Sequence, residues 1–338
     1  MSGSIPIIGD DPLGVLTTTT RVVEQARHVR IVHDRIPAVA EQIAVELTEP
    51  LGWDDALHFR DGTWRTAGWV FVLDALNFCF WSTDPDPEMR WRVAYHGKVY
   101  DGYWALAAAL ARAVEEGRPL WEPAYLATIT AVDVAHILRP ATPDTPSIPL
   151  FDERIANLRE LGRGLRRVEG GEDAAALVRL ADGSAVRLVQ EIVVRFPSFD
   201  DIATYRGYAV RFYKRAQILV ADLVAAFLGE GLGTFHDLDQ LTAFADYKVP
   251  QVLRGLGVIA YADDLAAKVD NRTLLPPGSE EEVEIRAATI WACEHIRRAL
   301  AARGRPLRAF EVDWTLWLAG QSLPPNTRPY HRTLTSFY

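Results

Sequence analysis

Val22, Val23, Ala26, Val29, Val32 and Ile36 return at the three-and-four spacing of one helical face. Two helical stretches are therefore expected between Thr20 and about Leu47, punctuated by Pro37 and Pro50. Residues 64–81 (WRTAGWVFVLDALNFCFW) are apolar on nearly all sides. The run is too long for one strand and predicts a buried helix, in which Asp74 and Asn77 must find partners or a ligand. Residues 91–100 (WRVAYHGKVY) read as a short hairpin turning at His96-Gly97, and an alanine-rich helix follows from about Tyr103 to Glu116. Gly117 and Pro119 stop it.

Residues 139–149 (RPATPDTPSIP) carry four prolines and predict a loop between an N-terminal helical region, 1–138, and a C-terminal one, 150–338. The two regions are expected to pack as one compact unit. Beyond the loop the pattern predicts helices near 151–168, 172–181, 184–195, 201–228, 237–245, 250–256, 280–303 and 308–319. Val186, Val189, Ile192 and Val193 share a helical face, which decides 184–195 against its β-branched content. Residues 241–256 read as helix, turn and helix, with Pro250 opening the second. The expected fold class is mainly α with a minor β-hairpin.

Composition narrows the function. The 338 residues are 49% apolar and 24% charged, the mixture of a globular chain with a substantial core. A net charge of −9 argues against nucleic acid as a partner. No run of about 18 uncharged apolar residues occurs, so no membrane partner is expected. The start, MSGSIPIIGDDPLG, lacks a basic and apolar leader, and a cytoplasmic monomer is expected. Cys79 and Cys293 both sit in apolar runs, away from any metal-ligand spacing, and the eight histidines form no such pattern either. No metal and no cofactor are expected. Gly229–Gly233 (GEGLG) follows a long helix rather than a strand, so it reads as helix termination and not as a phosphate loop. There is no Gly-x-Ser-x-Gly element for serine chemistry.

Three segments offer chemistry. In 241–257 (LTAFADYKVPQVLRGLG), Asp246 lies near the amino end of a helix, either as a capping residue or as a carboxylate kept ionised for use. In 205–222 (YRGYAVRFYKRAQILVAD), Tyr205, Tyr208, Phe212 and Arg215 fall at helical spacing with Lys214 beside them; such a set can stack a base and hold a phosphate, or form a solvated basic face. Only four of the 36 basic residues are lysine, so a lysine against that background suggests a wanted point charge. In 311–318 (EVDWTLWL), Asp313 and Trp317 share a helical face, and an acid among tryptophans is costly unless it binds something.

LNFCFW (76–81), RFYKRAQILVAD (211–222), LTAFADYKVPQVL (241–253), EVEIRAATIW (282–291), DWTLW (313–317) and YHRTLTSFY (330–338) resemble, in order, the blocks of the queuosine salvage proteins. The resemblance runs from about residue 20 to the end. It implies a helical fold like that of helix-hairpin-helix DNA glycosylases, and an N-glycosidase that frees queuine from queuosine 5′-monophosphate, a small-molecule substrate. By motif it implies Asp246 as nucleophile or transition-state stabiliser, and His58, Phe244, Tyr247, Asp313, Trp314 and Trp317 as substrate-binding residues. The resemblance also implies a second acid at the position where this chain has Leu318.

Cleavage of a nucleoside C–N bond passes through an oxocarbenium-like sugar, which a buried carboxylate can stabilise or attack. The leaving base is a 7-deazaguanine, so protonation at position 7 cannot assist it. Asp313, with a raised pKa, and His58 are candidates for help elsewhere on the base; alternatively Asp313 stays ionised and pairs with the secondary ammonium of queuine. A 5′-phosphate asks for cations: Lys214 first, then Arg215, Lys248, Arg286 and the His331-Arg332 pair. Two other readings remain open at this stage, a DNA or RNA base glycosylase on a related scaffold and a non-catalytic binder of a modified base.

Overall fold

Residues 10–46, 53, 56–324 and 326–338 are described by the structure, a computed structural model. Leu47 and Pro50 fall outside them. In chain order the elements are α1 (Val15–Gln25), β1 (Val29–Ile31), α2 (Ile36–Glu46), α3 (Trp64–Leu76), β2 (Arg92–Tyr95), β3 (Lys98–Asp101), α4 (Gly102–Glu115), α5 (Pro123–Thr128), α6 (Ala131–Ile137), α7 (Phe151–Leu165), α8 (Ala174–Leu180), α9 (Ala185–Arg195), β4 (Ile202–Tyr205), β5 (Tyr208–Arg211), α10 (Lys214–Ala226), α11 (Lys248–Gly255), β6 (Ile259–Tyr261), α12 (Asp263–Asp270), α13 (Glu280–Ala301) and α14 (Ala309–Gln321). The fold is mainly α. Its described strands form three antiparallel pairs, β1–β6, β2–β3 and β4–β5. No described helix is long and apolar enough to cross a membrane.

The chain forms two compact units that interleave in sequence. The first takes the chain before residue 52 together with 201–214 and 237–334; the second takes 52–200, 215–236 and 335–338. The proline-rich segment 139–149 thus lies within the second unit rather than at a boundary.

In the first unit α13 is buried on almost every side, and α1, α2, α11 and α14 pack against it. Ile285, Ala288, Ala292 and Ile296 of α13 meet Val39 and Ile43 of α2, Val249 and Leu253 of α11, and Val312 and Leu316 of α14 in one apolar core. Ser279 caps α13 by accepting from the Glu282 N–H. The buried acids of its first two turns are partnered by main chain and by basic side chains. Glu284 accepts from the N–H groups of Arg27, His28 and Val29 and from the Tyr205 hydroxyl at 2.8 Å, which fixes the start of β1.

In the second unit α3 is the buried helix. Thr63 caps it, and every residue from Thr66 to Leu76 is buried. Gly68 is required within it, because a Cβ there would stand 2.7 Å from the Trp121 Cβ. The apolar run continues to Trp81, but the helix stops at Leu76. Arg154 explains the difference: its guanidinium donates to the carbonyls of Leu76, Phe78 and Cys79 and lies 4.2 Å from the Phe78 ring centroid. Those carbonyls are thereby satisfied outside a helix. Asn77 donates to Asp74 at 3.3 Å, so the two polar members of the run partner each other.

Two expected helices are replaced. Residues 201–228 begin as the β4–β5 hairpin, and helix starts only at Lys214. The turn is Arg206-Gly207 with φ of 48° and 87°, the same geometry as His96-Gly97 at 44° and 76°. Both φ values are positive, as a two-residue turn matched to strand twist demands. The aromatic spacing of Tyr205 and Tyr208 fitted a helix equally well, yet these residues are cross-strand partners. Residues 237–245 hold only a single turn of 3-10 helix at Leu238–Gln240 before irregular backbone, so 241–256 is a loop and helix, not two helices.

Candidate active site

The irregular stretch 241–247 runs buried into α11, and Asp246 ends it. Its Oδ1 accepts from the N–H groups of Lys248 and Val249, both at 2.9 Å, so the carboxylate does cap α11. Capping does not exhaust it. Asp246 is 5% exposed, and burial pushes its carboxyl upward against the pull of Lys214, the two main-chain donors and Lys248.

Asp313 stands beside it from α14, at 3% exposure, with Oδ1 accepting from the Phe244 N–H at 2.9 Å. Burial raises this carboxyl well above the ordinary range, and the charge of Asp246 raises it further, while the Phe244 N–H and Lys214 oppose. Two carboxyls in one site with unequal support separate into an acid and a base. Asp246, on which both Lys214 and Lys248 act, is the better anion. Behind both, the buried Cys293 thiol is pushed well up by desolvation and by the two aspartates, so it stays protonated.

Aromatic residues surround this pair. Phe244 stacks on Phe310 with centroids 6.2 Å apart, Tyr247 meets Tyr330 at 4.8 Å, and Trp314 stacks on Trp317 at 5.6 Å. The Trp314 Nε1 is buried with no acceptor among the described residues. Leu318 is 45% exposed on the same helix.

The six candidate cations part company. Lys214 is buried at 5% exposure, and its ammonium acts on both Asp246 and Asp313. Lys248 is half-buried, with Nζ 3.3 Å from Gln251 Oε1 and 5.4 Å from the Tyr330 ring centroid. Arg286 is 2% exposed, donating from Nε to the Ala245 carbonyl and from both terminal nitrogens to Asp201. Arg332 donates to the Arg272 carbonyl at 3.0 Å, and its own main chain pairs with Leu274 and Leu275. His331 is buried, and desolvation with the nearby Arg286 charge pulls it down to about 3, so at neutral pH it is no cation. Arg215 belongs to the second unit, where it donates to the carbonyls of Asp74, Ala75 and Ser198 and lies over the Phe199 ring. Arg215, Arg286 and Arg332 thus each bind groups of the fold itself, as buried guanidinium groups tend to do.

The first unit therefore gathers Lys214, Phe244, Asp246, Tyr247, Lys248, Asp313, Trp314 and Trp317. His58 belongs to the second unit. It is 6% exposed, its Nε2 lies 2.8 Å from the Tyr103 hydroxyl, and the Trp53, Trp69 and Trp104 rings surround it. Sequence reasoning passed over Asp201, which holds Arg286; nothing in its local sequence marks it. Among the described residues two groups have ligand atoms within 4.8 Å of each other, His28/Asp264/Glu281 and His28/Glu280/Glu284. Their acids are engaged: Glu281 pairs with Lys268, Glu280 with Arg206, and Glu284 holds β1.

The sequence profile described as queuosine salvage protein matches residues 57–338. The queuosine 5′-phosphate N-glycosylase/hydrolase of Sphaerobacter thermophilus is 55% identical over 328 residues, covering 97% of this chain and 98% of that protein. The chain belongs to the queuosine salvage protein family. Relatives of the same name from Nematostella vectensis and Bos taurus are 39% and 38% identical, over 84% and 94% of this chain and 85% and 96% of theirs. The profile match spans all of the gathered site residues and His58 of this queuosine salvage protein.

Proposed function

We propose that this chain hydrolyses the N-glycosidic bond of queuosine 5′-phosphate, releasing queuine and ribose 5-phosphate. The observation that carries the site assignment is the buried Asp246–Asp313 pair, unequally supported, next to a buried lysine. Membership of the family and near-full-length similarity to hydrolases of that name support the reaction.

As the C1′–N bond breaks, its electron pair leaves with the base and positive charge grows on the sugar. Ionised Asp246 stabilises that charge or attacks C1′, and water then supplies the new C1′ oxygen. The two main-chain N–H groups hold the carboxylate without reorganisation, and Lys214 opposes the upward push that burial gives its carboxyl. Asp313, protonated in the empty site, donates a hydrogen bond to the departing base. The Trp314 Nε1 donor and the Phe244 ring hold that base. Lys248, the only one of the six candidate cations that is not buried, takes the 5′-phosphate. Queuosine itself, the phosphate-free nucleoside, is then the poorer substrate.

The reaction is tested by incubating the chain with queuosine 5′-monophosphate and, separately, GMP, with free base followed by mass spectrometry. Queuine from the first and no guanine from the second is expected. Bound but uncleaved nucleotide would instead identify a binding protein.

A further inference from the structure

We propose that Asp201 and Arg286 are positioning residues for this reaction: their ion pair holds the turn bearing Asp246 and the first residue of α10, Lys214, in one fixed relation. The inference rests on the assignment of Asp246 above. Both partners are 2% exposed. The Arg286 guanidinium forks onto the Asp201 carboxylate, Nη1 to Oδ1 at 3.0 Å and Nη2 to Oδ2 at 2.5 Å. Its remaining edge donates from Nε to the carbonyl of Ala245, the residue between Phe244 and Asp246, at 3.1 Å. One planar group therefore grips the catalytic turn and Asp201 at once, which a lysine ammonium could not do.

Asp201 in turn holds the other charge. Its Oδ2 accepts from the Lys214 N–H at 3.2 Å, and its own carbonyl accepts from the N–H groups of Phe212 and Tyr213. Tyr213 sits at φ 51°, a left-handed conformation that a tyrosine adopts only when its surroundings impose it. The Phe212 ring lies flat against the guanidinium, 3.9 Å from Cζ to the centroid, and Glu282 adds a second carboxylate at 3.7 Å. The chain entering α10 is thus clamped over the same arginine that clamps the Asp246 turn. The charged and titratable groups facing Asp246 are Lys214 from α10, Lys248 from α11, Cys293 from α13 and Asp313 from α14. Of these, Lys214 is the one whose placement the ion pair governs.

The test uses Asp201→Asn and Arg286→Lys in the full chain, with Asp246→Asn alongside. Asparagine keeps an acceptor for the Lys214 N–H but loses the charge; lysine keeps the charge but cannot bridge. In each, kcat is expected to fall at least tenfold with KM changed less than threefold. The acid limb of kcat/KM moves to higher pH, because an ill-placed Lys214 no longer opposes protonation of Asp246. Phe212→Leu, which loosens the guanidinium without removing a charge, carries the test if a charge variant fails to fold; at least a twofold fall in kcat is expected there. Folded variants with wild-type kcat and an unmoved acid limb, beside an inactive Asp246→Asn, overturn the positioning role. An active Asp246→Asn overturns the underlying assignment instead.

Discussion

In the proposed mechanism Asp246 serves two purposes. Its Oδ1 caps α11, and the same two N–H groups that satisfy a helix start hold a carboxylate ready for a cation. Asp246→Asn keeps the cap and removes the charge, so release of queuine is expected to fall about 10²–10³-fold while queuine binding and folding persist, as mass spectrometry and calorimetry would show. Asp313 contrasts with it. A neutral acid there is replaced by a neutral amide in Asp313→Asn, which keeps an acceptor for the Phe244 N–H. Its turnover should therefore fall far less than that of Asp246→Asn, and an equal collapse would show that Asp313 works as an anion. For Lys248, alanine substitution should raise KM for the nucleotide several-fold and narrow its advantage over the nucleoside, with little change in kcat; steady-state kinetics on both substrates decides.

At the scale of elements, close helix approaches replace long regular structure. Gly162 of α7 faces α5 so tightly that a Cβ would stand 2.3 Å from the Ala127 nitrogen and 2.6 Å from the Pro123 carbonyl oxygen. Backbone atoms cannot rotate away, so Gly162→Ala is expected to cost ~1–3 kcal/mol in urea unfolding. The elements legible in sequence were those with one unambiguous period or a strong stop signal: α4 between its hairpin and Gly117, and α9 with its four-residue apolar face. The β4–β5 hairpin was hidden because tyrosines three apart suit a helical face as well as a two-residue turn. The stretch 241–247 was hidden because its apolar residues are buried by neighbours rather than by a helical face of their own.

For the whole molecule, buried bases set a pH window. His331 has an unfolded value near 6.5 and a folded one of about 3, so the stability of its neutral form is complete above pH about 6.5. That contribution is lost as pH falls from there towards 3, since the unfolded chain binds the proton first. Urea unfolding between pH 7 and 4 should therefore steepen less in His331→Asn than in wild type; identical slopes would place the titration elsewhere. The raised carboxyls of Asp246 and Asp313 act in the opposite sense, which is why the comparison is made between variants.

By itself the sequence determined the helical class, the buried character of α3, the first hairpin and the family, and through short ordered motifs it named the acids and aromatics of the candidate site. These follow from local periodicity, from φ preferences and from residue types that chemistry cannot replace. Only the tertiary structure decided which cations are available, because an arginine in sequence carries the same charge whether it meets solvent or a ring of carbonyls. Burial and hydrogen-bond partners tie Arg215, Arg286 and Arg332 to the fold, pull the His331 imidazole down, and set Lys214 against Asp246. Desolvation and long-range pairing are properties of the folded chain, and no spacing along the sequence encodes them.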